Sequence, residues 1–286
     1  MTSSVPQKST VCFPRTLRSL PVSLKAFLLA AALGLSLSSS AAAEVQSLAV
    51  EYQDGPDVLE GYLAYDDAFQ GERPAVIVIH EWKGLGDYAK RRADMLARMG
   101  YLAFAADMYG RGQRAADHAE AAKLAGLYLG DRNKMRSRAK AALDYVRDHP
   151  LSADSRIAAI GYCFGGTAAL EMARAGMKLS GAVSFHGALN TPLPAGKAQA
   201  VPAKVLVFHG SQDAFIPQED IAAFQKEMTE AGADWQFVAF SQAVHSFTVR
   251  EAGDDPSTGM AYNREADERS WNMLKLFLQE IFSFPR

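Results

Sequence analysis

A chain of 286 residues has room for one large domain or two small ones. Its 30 basic and 32 acidic residues nearly balance and form no basic stripe. That excludes a nucleic-acid partner as the natural reading and leaves a soluble globular enzyme or binding protein.

The first stretch reads as a targeting segment. Residues 1–25 carry Lys8, Arg15, Arg18 and Lys25 and no acid, and an apolar run of 12 residues follows from Ala26 to Leu37. Ser38-Ser39-Ser40 and Ala41-Ala42-Ala43 complete the pattern of a secretory signal with a small-residue cleavage site. The run is too short to span a bilayer as a helix. Residues 1–43 are therefore expected to be removed, leaving an exported chain, periplasmic or secreted, of residues 44–286. No stable membrane insertion is expected of it; an uncleaved N-terminal anchor is the alternative. Without the four bases of that segment the remainder has 26 basic and 32 acidic residues, a net charge of −6. Cys12 goes with the segment, so Cys163 stands alone, with no internal disulfide and no C-x-x-C pair. A lone thiol in an oxidising compartment needs a reason, either burial as a small hydrophobe or chemistry.

Beyond Glu44, short β-rich runs alternate with helical patterns. Ser47–Tyr52 and Val58–Tyr65 predict two strands joined by the turn residues Asp54-Gly55-Pro56-Asp57. Ala75–His80 is a continuous apolar run, as in a strand buried on both faces. Tyr101–Ala106, Ile157–Tyr162, Ala182–Phe185, Val205–His209 and Trp235–Phe240 share that character. Helical spacing appears over Tyr88–Met99, Met135–Val146, Gly166–Ala175, Glu219–Ala231 and Glu265–Ile281. The alternation predicts one α/β domain, a largely parallel sheet with helices on both faces. Gly110–Asp131 is less regular and reads as a loop and helix over the sheet's C-terminal edge, either a surface excursion or a substrate cap.

The strongest local signal is Gly161-Tyr162-Cys163-Phe164-Gly165-Gly166, between an apolar strand and an alanine-rich helix. This is G-x-C-x-G, a nucleophile elbow with cysteine in place of serine, where Gly161 and Gly165 must be small. The free N–H groups of the following helix favour a thiolate and a developing oxyanion. A buried structural cysteine beside a glycine-rich turn is the other reading. Of the six histidines, His118 and His149 sit in polar contexts, while His80, His186 and His209 each end an apolar strand. His245 lies between the last strand and the last helix, where the base belongs in the order nucleophile, acid, histidine. Asp213 follows the penultimate strand in Gly210-Ser211-Gln212-Asp213, placed either to orient the imidazole or to cap a turn. His80-Glu81-Trp82-Lys83-Gly84 begins like a zinc-protease motif but has Gly84 where the second histidine is needed, so no metal site is expected. The same loop would supply the Trp82 amide as a second oxyanion donor beside that of Phe164. Glu81 would be a buried carboxylate near Cys163, or the partner of an arginine.

Together, His80-Glu81-Trp82, the Gly161–Gly166 elbow, the Gly210–Asp213 turn and His245-Ser246-Phe247 resemble the dienelactone hydrolases, from about Glu60 to Phe282. The resemblance implies an eight-stranded, mostly parallel α/β-hydrolase with a Cys163–His245–Asp213 triad and no cofactor. It implies a small-molecule ester or lactone substrate, and that Glu81 takes the thiol proton when substrate arrives, so that Cys163 rests neutral. Members that act on dienelactone grip its carboxylate with two arginines. Here Ala119–Leu129 has no arginine, and Val249 stands at the second position with Arg250 beside it; Arg111, Arg114 and Lys123 are the cations left to substitute. Two other classes remain in view: a ligand-binding protein that keeps the fold without turnover, and a thiol redox or stress protein using Cys163.

Overall fold

The computed structural model describes residues 44–195 and 200–283, so the expected signal segment lies outside the described residues. The described chain opens on a hairpin. β1 (Val45–Asp54) and β2 (Asp57–Asp66) pair antiparallel down to Asp54↔Asp57, across a turn in which Gly55 takes a φ of +58°. There follow β3 (Arg73–Ile79), α1 (Asp87–Ala97), β4 (Leu102–Ala106), α2 (His118–Leu129), α3 (Arg132–Asp148) and β5 (Ser152–Tyr162). The rest is α4 (Phe164–Arg174), β6 (Gly181–Phe185), β7 (Lys204–Gly210), α5 (Gln218–Glu230), β8 (Trp235–Phe240) and α6 (Arg264–Ser283). The eight strands form one sheet in the order β1-β2-β4-β3-β5-β6-β7-β8, antiparallel at β1/β2 and β2/β4 and parallel elsewhere.

The apolar run in β3 is buried on both faces because successive side chains alternate between two cores. Ala75, Ile77 and Ile79 join residues of α3, α4 and α5 on one side. Val76 and Val78 join α1 and α6 on the other, where Leu96, Leu274 and Leu278 are fully enclosed. Each such leucine contributes roughly 1.5–3 kcal/mol of burial. The first core also encloses an ionic cluster that apolar patterning does not announce. Glu171 on α4, with no exposed surface, takes Arg136 and Arg174, and Arg174 also grips Glu227 on α5. Three helices are tied through it.

One difference from the sequence reading matters for the site: α4 begins at Phe164, directly after Cys163, not two residues later. Gly110–Asp131 holds a helix as expected, α2, whose inner face lines the main cavity. The parallel strands β3, β5, β6, β7 and β8 end in register at Ile79↔Gly161, Tyr162↔Phe185 and Gly210↔Phe240, so the loops that follow them gather along one edge. Among the described residues no helix is long and apolar enough to cross a membrane.

Candidate active site

Cys163 sits at the N-cap of α4 with φ 54° and ψ −116°, a left-handed conformation that costs a non-glycine residue about 1–3 kcal/mol. Close approach of backbone holds it there. A Cβ on Gly161 would lie 1.9 Å from the Gly165 carbonyl oxygen, and one on Gly165 would lie 2.2 Å from that of Ile79. Gly166 is equally confined, 2.5 Å from the Ser184 hydroxyl by the same construction. The Cys163 amide donates to the Phe185 carbonyl at 2.9 Å, and its own carbonyl accepts from Gly166 at 2.9 Å. The turn thus aims the side chain away from the sheet at the head of a helix.

His245 Nε2 lies 3.1 Å from Cys163 Sγ, and His245 Nδ1 lies 2.7 Å from Asp213 Oδ2. Asp213 makes both contacts that the sequence left open: its Oδ1 accepts the Phe215 amide at 3.0 Å while Oδ2 faces the imidazole. The loop carrying His245 is fixed by Ala261, whose amide donates to the His245 carbonyl, and by Asn263, whose amide donates to that of Phe247. Burial opposes a charge on His245, but the Cys163 sulfur and the Asp213 carboxylate outweigh it and push the imidazole up to about 10. Phe215 packs edge-on against the same ring at 5.4 Å.

The loop after β3 is braced by His80. Its Nδ1 donates to the Glu81 carbonyl at 2.5 Å, its Nε2 accepts the Met108 amide at 3.1 Å, and its ring stacks on Phe164 at 5.8 Å. Tyr109 O–H donates to the Trp82 carbonyl at 2.8 Å. The amides of Trp82 and Phe164 have no hydrogen-bond partner among the described residues, which leaves both free to donate to a bound group. Burial pushes the Glu81 carboxyl up to about 7, partly countered by nearby His245 and reinforced by Glu251. The arginine pair considered for Glu81 is not formed: no ion pair to it occurs among the described residues. Nor does it hydrogen-bond the thiol; the sulfur lies on His245 instead.

Cys163 and His245 open into a cavity of about 520 Å³. α2 supplies one wall through Ala122, Ala125, Gly126 and Leu129; Trp82, Phe164, Thr167, Ala188, Phe215, Ile216 and Met260 supply the rest. Apart from His245, no charged or titratable nitrogen or carboxylate lines it. The cations considered as substitutes lie elsewhere. Arg111 pairs with Glu51 at 2.7 Å, Arg114 borders a separate cleft beside Gly86, Lys123 is not among the lining residues, and Arg250 sits over the Tyr262 ring. His118 is exposed against Trp82, and His149, half-buried, accepts the Leu151 amide. His209 lies tilted against Phe237, ring centroids 5.4 Å apart. Among the described residues no group of three or more His, Cys, Asp or Glu side chains could hold a metal. The sequence set His186 and His209 at the border of the site, too early in the chain order to be the base; His186 is fully buried behind Cys163 and His245, and its place at the end of a buried strand was the only further signal.

The sheet order, with a strand-to-helix elbow after β5 and loops gathered at the strands' C-terminal ends, is that of an α/β-hydrolase. The profile of the dienelactone hydrolase family matches residues 59–282, and the chain belongs to that family of hydrolases. It is similar to the crystal structure named as the dienelactone hydrolase-like promiscuous phosphotriesterase P91 from metagenomic libraries. Identity is 38% over 83% of this chain and 99% of that one, with a TM-score of 0.77. Among curated proteins it is 28% identical to "Probable 2-oxo-3-(5-oxofuran-2-ylidene)propanoate lactonase" of Bradyrhizobium sp., over 82% of this chain and 95% of the relative. It is also 28% identical to "Protein usf" of Aquifex pyrophilus, over 82% of this chain and 98% of the relative.

Proposed function

We propose that the protein hydrolyses neutral, apolar carboxylic esters or lactones with Cys163 as nucleophile, His245 as base and Asp213 as orienter. The observation that carries this reading is the continuous contact Sγ–Nε2 and Nδ1–Oδ2, at 3.1 and 2.7 Å, on the wall of a cavity that no Lys, Arg, Asp or Glu lines. The sulfur attacks the carbonyl carbon while the Trp82 and Phe164 amides receive the oxyanion. Collapse breaks the ester C–O bond, and the departing alkoxide takes the proton held on His245. His245 then deprotonates a water, which attacks the acyl thioester and releases the acid and the thiolate. Glu81 is a second proton acceptor in this reading. Its carboxyl, pushed up to about 7, can take the thiol proton before the sulfur engages His245.

The substrate class follows from the cavity wall. A substrate carboxylate placed against the α2 wall would be stripped of water with no lysine or arginine to pair with it, a cost of several kcal/mol. Neutral esters pay no such penalty.

The test compares Cys163→Ala and Cys163→Ser with the parent on p-nitrophenyl butyrate, with intact mass spectrometry for a trapped acyl group. The reading expects turnover abolished in the alanine variant and an acyl adduct on the parent alone. Full turnover by Cys163→Ala overturns it; retained ligand affinity with no adduct on the parent points to a binding protein. Reversible oxidation of Cys163 lacks a resolving partner, since the only other cysteine is Cys12. We also propose export, on the pattern of residues 1–43; the mass of the chain recovered from expressing cells should correspond to a start near Glu44.

A further inference from the structure

We infer that His186 is a positioning residue that ties the nucleophile to its base, its Nδ1 accepting the Cys163 amide while its Nε2 holds Thr248, three residues beyond His245. The inference rests on the Cys163–His245 reading above. The Cys163 amide, whose nearer acceptor is the Phe185 carbonyl at 2.9 Å, is shared with His186 Nδ1 at 3.2 Å, and His186 Nε2 is 2.8 Å from Thr248 Oγ1. An amide can only donate, so Nδ1 must be the bare nitrogen and Nε2 must carry the proton. His186 is therefore a neutral imidazole of defined tautomer with both nitrogens engaged.

The far end of this strut is anchored. Thr248 Oγ1 also accepts from Tyr88 O–H at 2.7 Å, and the Thr248 carbonyl accepts from Arg92 at 3.2 Å. Arg92 is in turn ion-paired with Asp267 on α6. The His186 ring meets His245 edge-on at 5.2 Å and Phe247 edge-on at 5.1 Å, so it also backs the loop it is bonded to. Its own backbone has φ 41°, a conformation a non-glycine residue keeps only where its surroundings over-determine it.

Space-filling alone does not explain these features, since an apolar ring would fill the same volume without needing two polar partners or a left-handed backbone. A rigid five-membered ring bonded at opposite ends fixes the span from the elbow to the histidine loop. The separation of Sγ from Nε2 then follows. Burial and the neighbouring His245, with smaller contributions from Arg92 and His209, hold the His186 imidazole well below its ordinary value. A proton arriving on Nδ1 would break the bond to the Cys163 amide.

Two variants cut the strut at its Thr248 end, one from each partner. His186→Asn offers an oxygen near the Nδ1 position and tolerates the left-handed backbone but does not reach Thr248; Thr248→Val removes the hydroxyl and keeps the shape. Each should lower kcat about 10- to 100-fold, the cost of misplacing a reacting group by an ångström or less, while KM stays within about threefold. Iodoacetamide alkylation of Cys163 should slow in parallel, because the imidazole within hydrogen-bond reach is what takes the sulfur's proton; a merely structural loss would leave it unchanged. The double variant should be no worse than the poorer single, both cutting one connection. Folded variants that keep kcat and alkylation within about twofold of the parent overturn the inference. Ring 15N shifts of the unaltered protein decide the matter if a variant fails to fold: a bare Nδ1 with protonated Nε2 at pH 7 supports the strut, and the reverse tautomer or an imidazolium overturns it. Cys163→Ala run alongside separates the two claims, since full turnover there defeats the catalytic reading, whereas its loss together with indifferent strut variants defeats only this inference.

Discussion

Asp213→Asn removes one charge and leaves the shape of the site almost unchanged. In the parent, Oδ1 accepts the Phe215 amide and Oδ2 faces His245 Nδ1 at 2.7 Å, with the side chain fully enclosed. Asparagine has one oxygen for these two donors. If that oxygen stays on the Phe215 amide, its NH2 group meets Nδ1, and the imidazole must turn to the tautomer whose Nε2–H points at the sulfur. That tautomer cannot accept the thiol proton. Loss of a hydrogen bond to a charged group is worth about 1.5–3 kcal/mol, or about 10- to 150-fold in rate, and the wrong tautomer pushes the loss toward the upper end. The pH dependence of stability carries a sign. His245 is raised from 6.5 to about 10, so its contribution is fully present below 6.5 and lost as pH rises through about 10. The variant should therefore be less stable than the parent at pH 6 and converge on it above pH 10. Steady-state hydrolysis of p-nitrophenyl butyrate and urea unfolding at pH 6, 8 and 10 measure both effects. A folded Asp213→Asn protein with kcat within about threefold of the parent would refute the orienting role.

Two further outcomes are expected. Glu81 has its carboxyl raised from 4.5 to about 7 in the folded state, so the stability it allows is present below 4.5 and lost as pH rises through about 7. Glu81→Gln should remove up to about 3 kcal/mol of that pH slope, seen by urea unfolding at pH 5 and pH 8; an unchanged slope would show that another group titrates. Ala122→Arg, at an exposed position on the cavity wall, should raise kcat/KM for mono-p-nitrophenyl glutarate relative to the butyrate by about tenfold through one charge-assisted hydrogen bond. An unchanged ratio would mean that the acyl group does not lie against α2.

The elements most legible in the sequence were those whose signal is local. The apolar run of β3, the alternation of strands and helices, and the paired glycines of the elbow each state a burial or steric requirement within a few residues. Gly161 and Gly165 could be read as small before anything else was known, because the turn that needs them is itself short. What was hard to read depends on partners distant in sequence. The Arg136–Glu171–Arg174–Glu227 cluster looks like ordinary helix-surface charge until α3, α4 and α5 pack together. His186 and Thr248 carry no motif, since their relation exists only once β6 and the histidine loop lie side by side. Glu81 was open between two roles because nothing local says whether an arginine lies within reach.

By itself the sequence determined the class of fold, the order of Cys163, Asp213 and His245 along the chain, and the absence of arginine from Ala119–Leu129, because periodicity, glycine spacing and residue type are properties of the chain. The tertiary structure alone decided that Cys163, His245 and Asp213 meet at hydrogen-bonding distance, that no Lys, Arg, Asp or Glu lines the cavity beside them, and that the sulfur lies on His245 and not on Glu81. Those facts turn on a few tenths of an ångström between residues 32 and 82 positions apart, distances that only the packing of loops at one sheet edge can set.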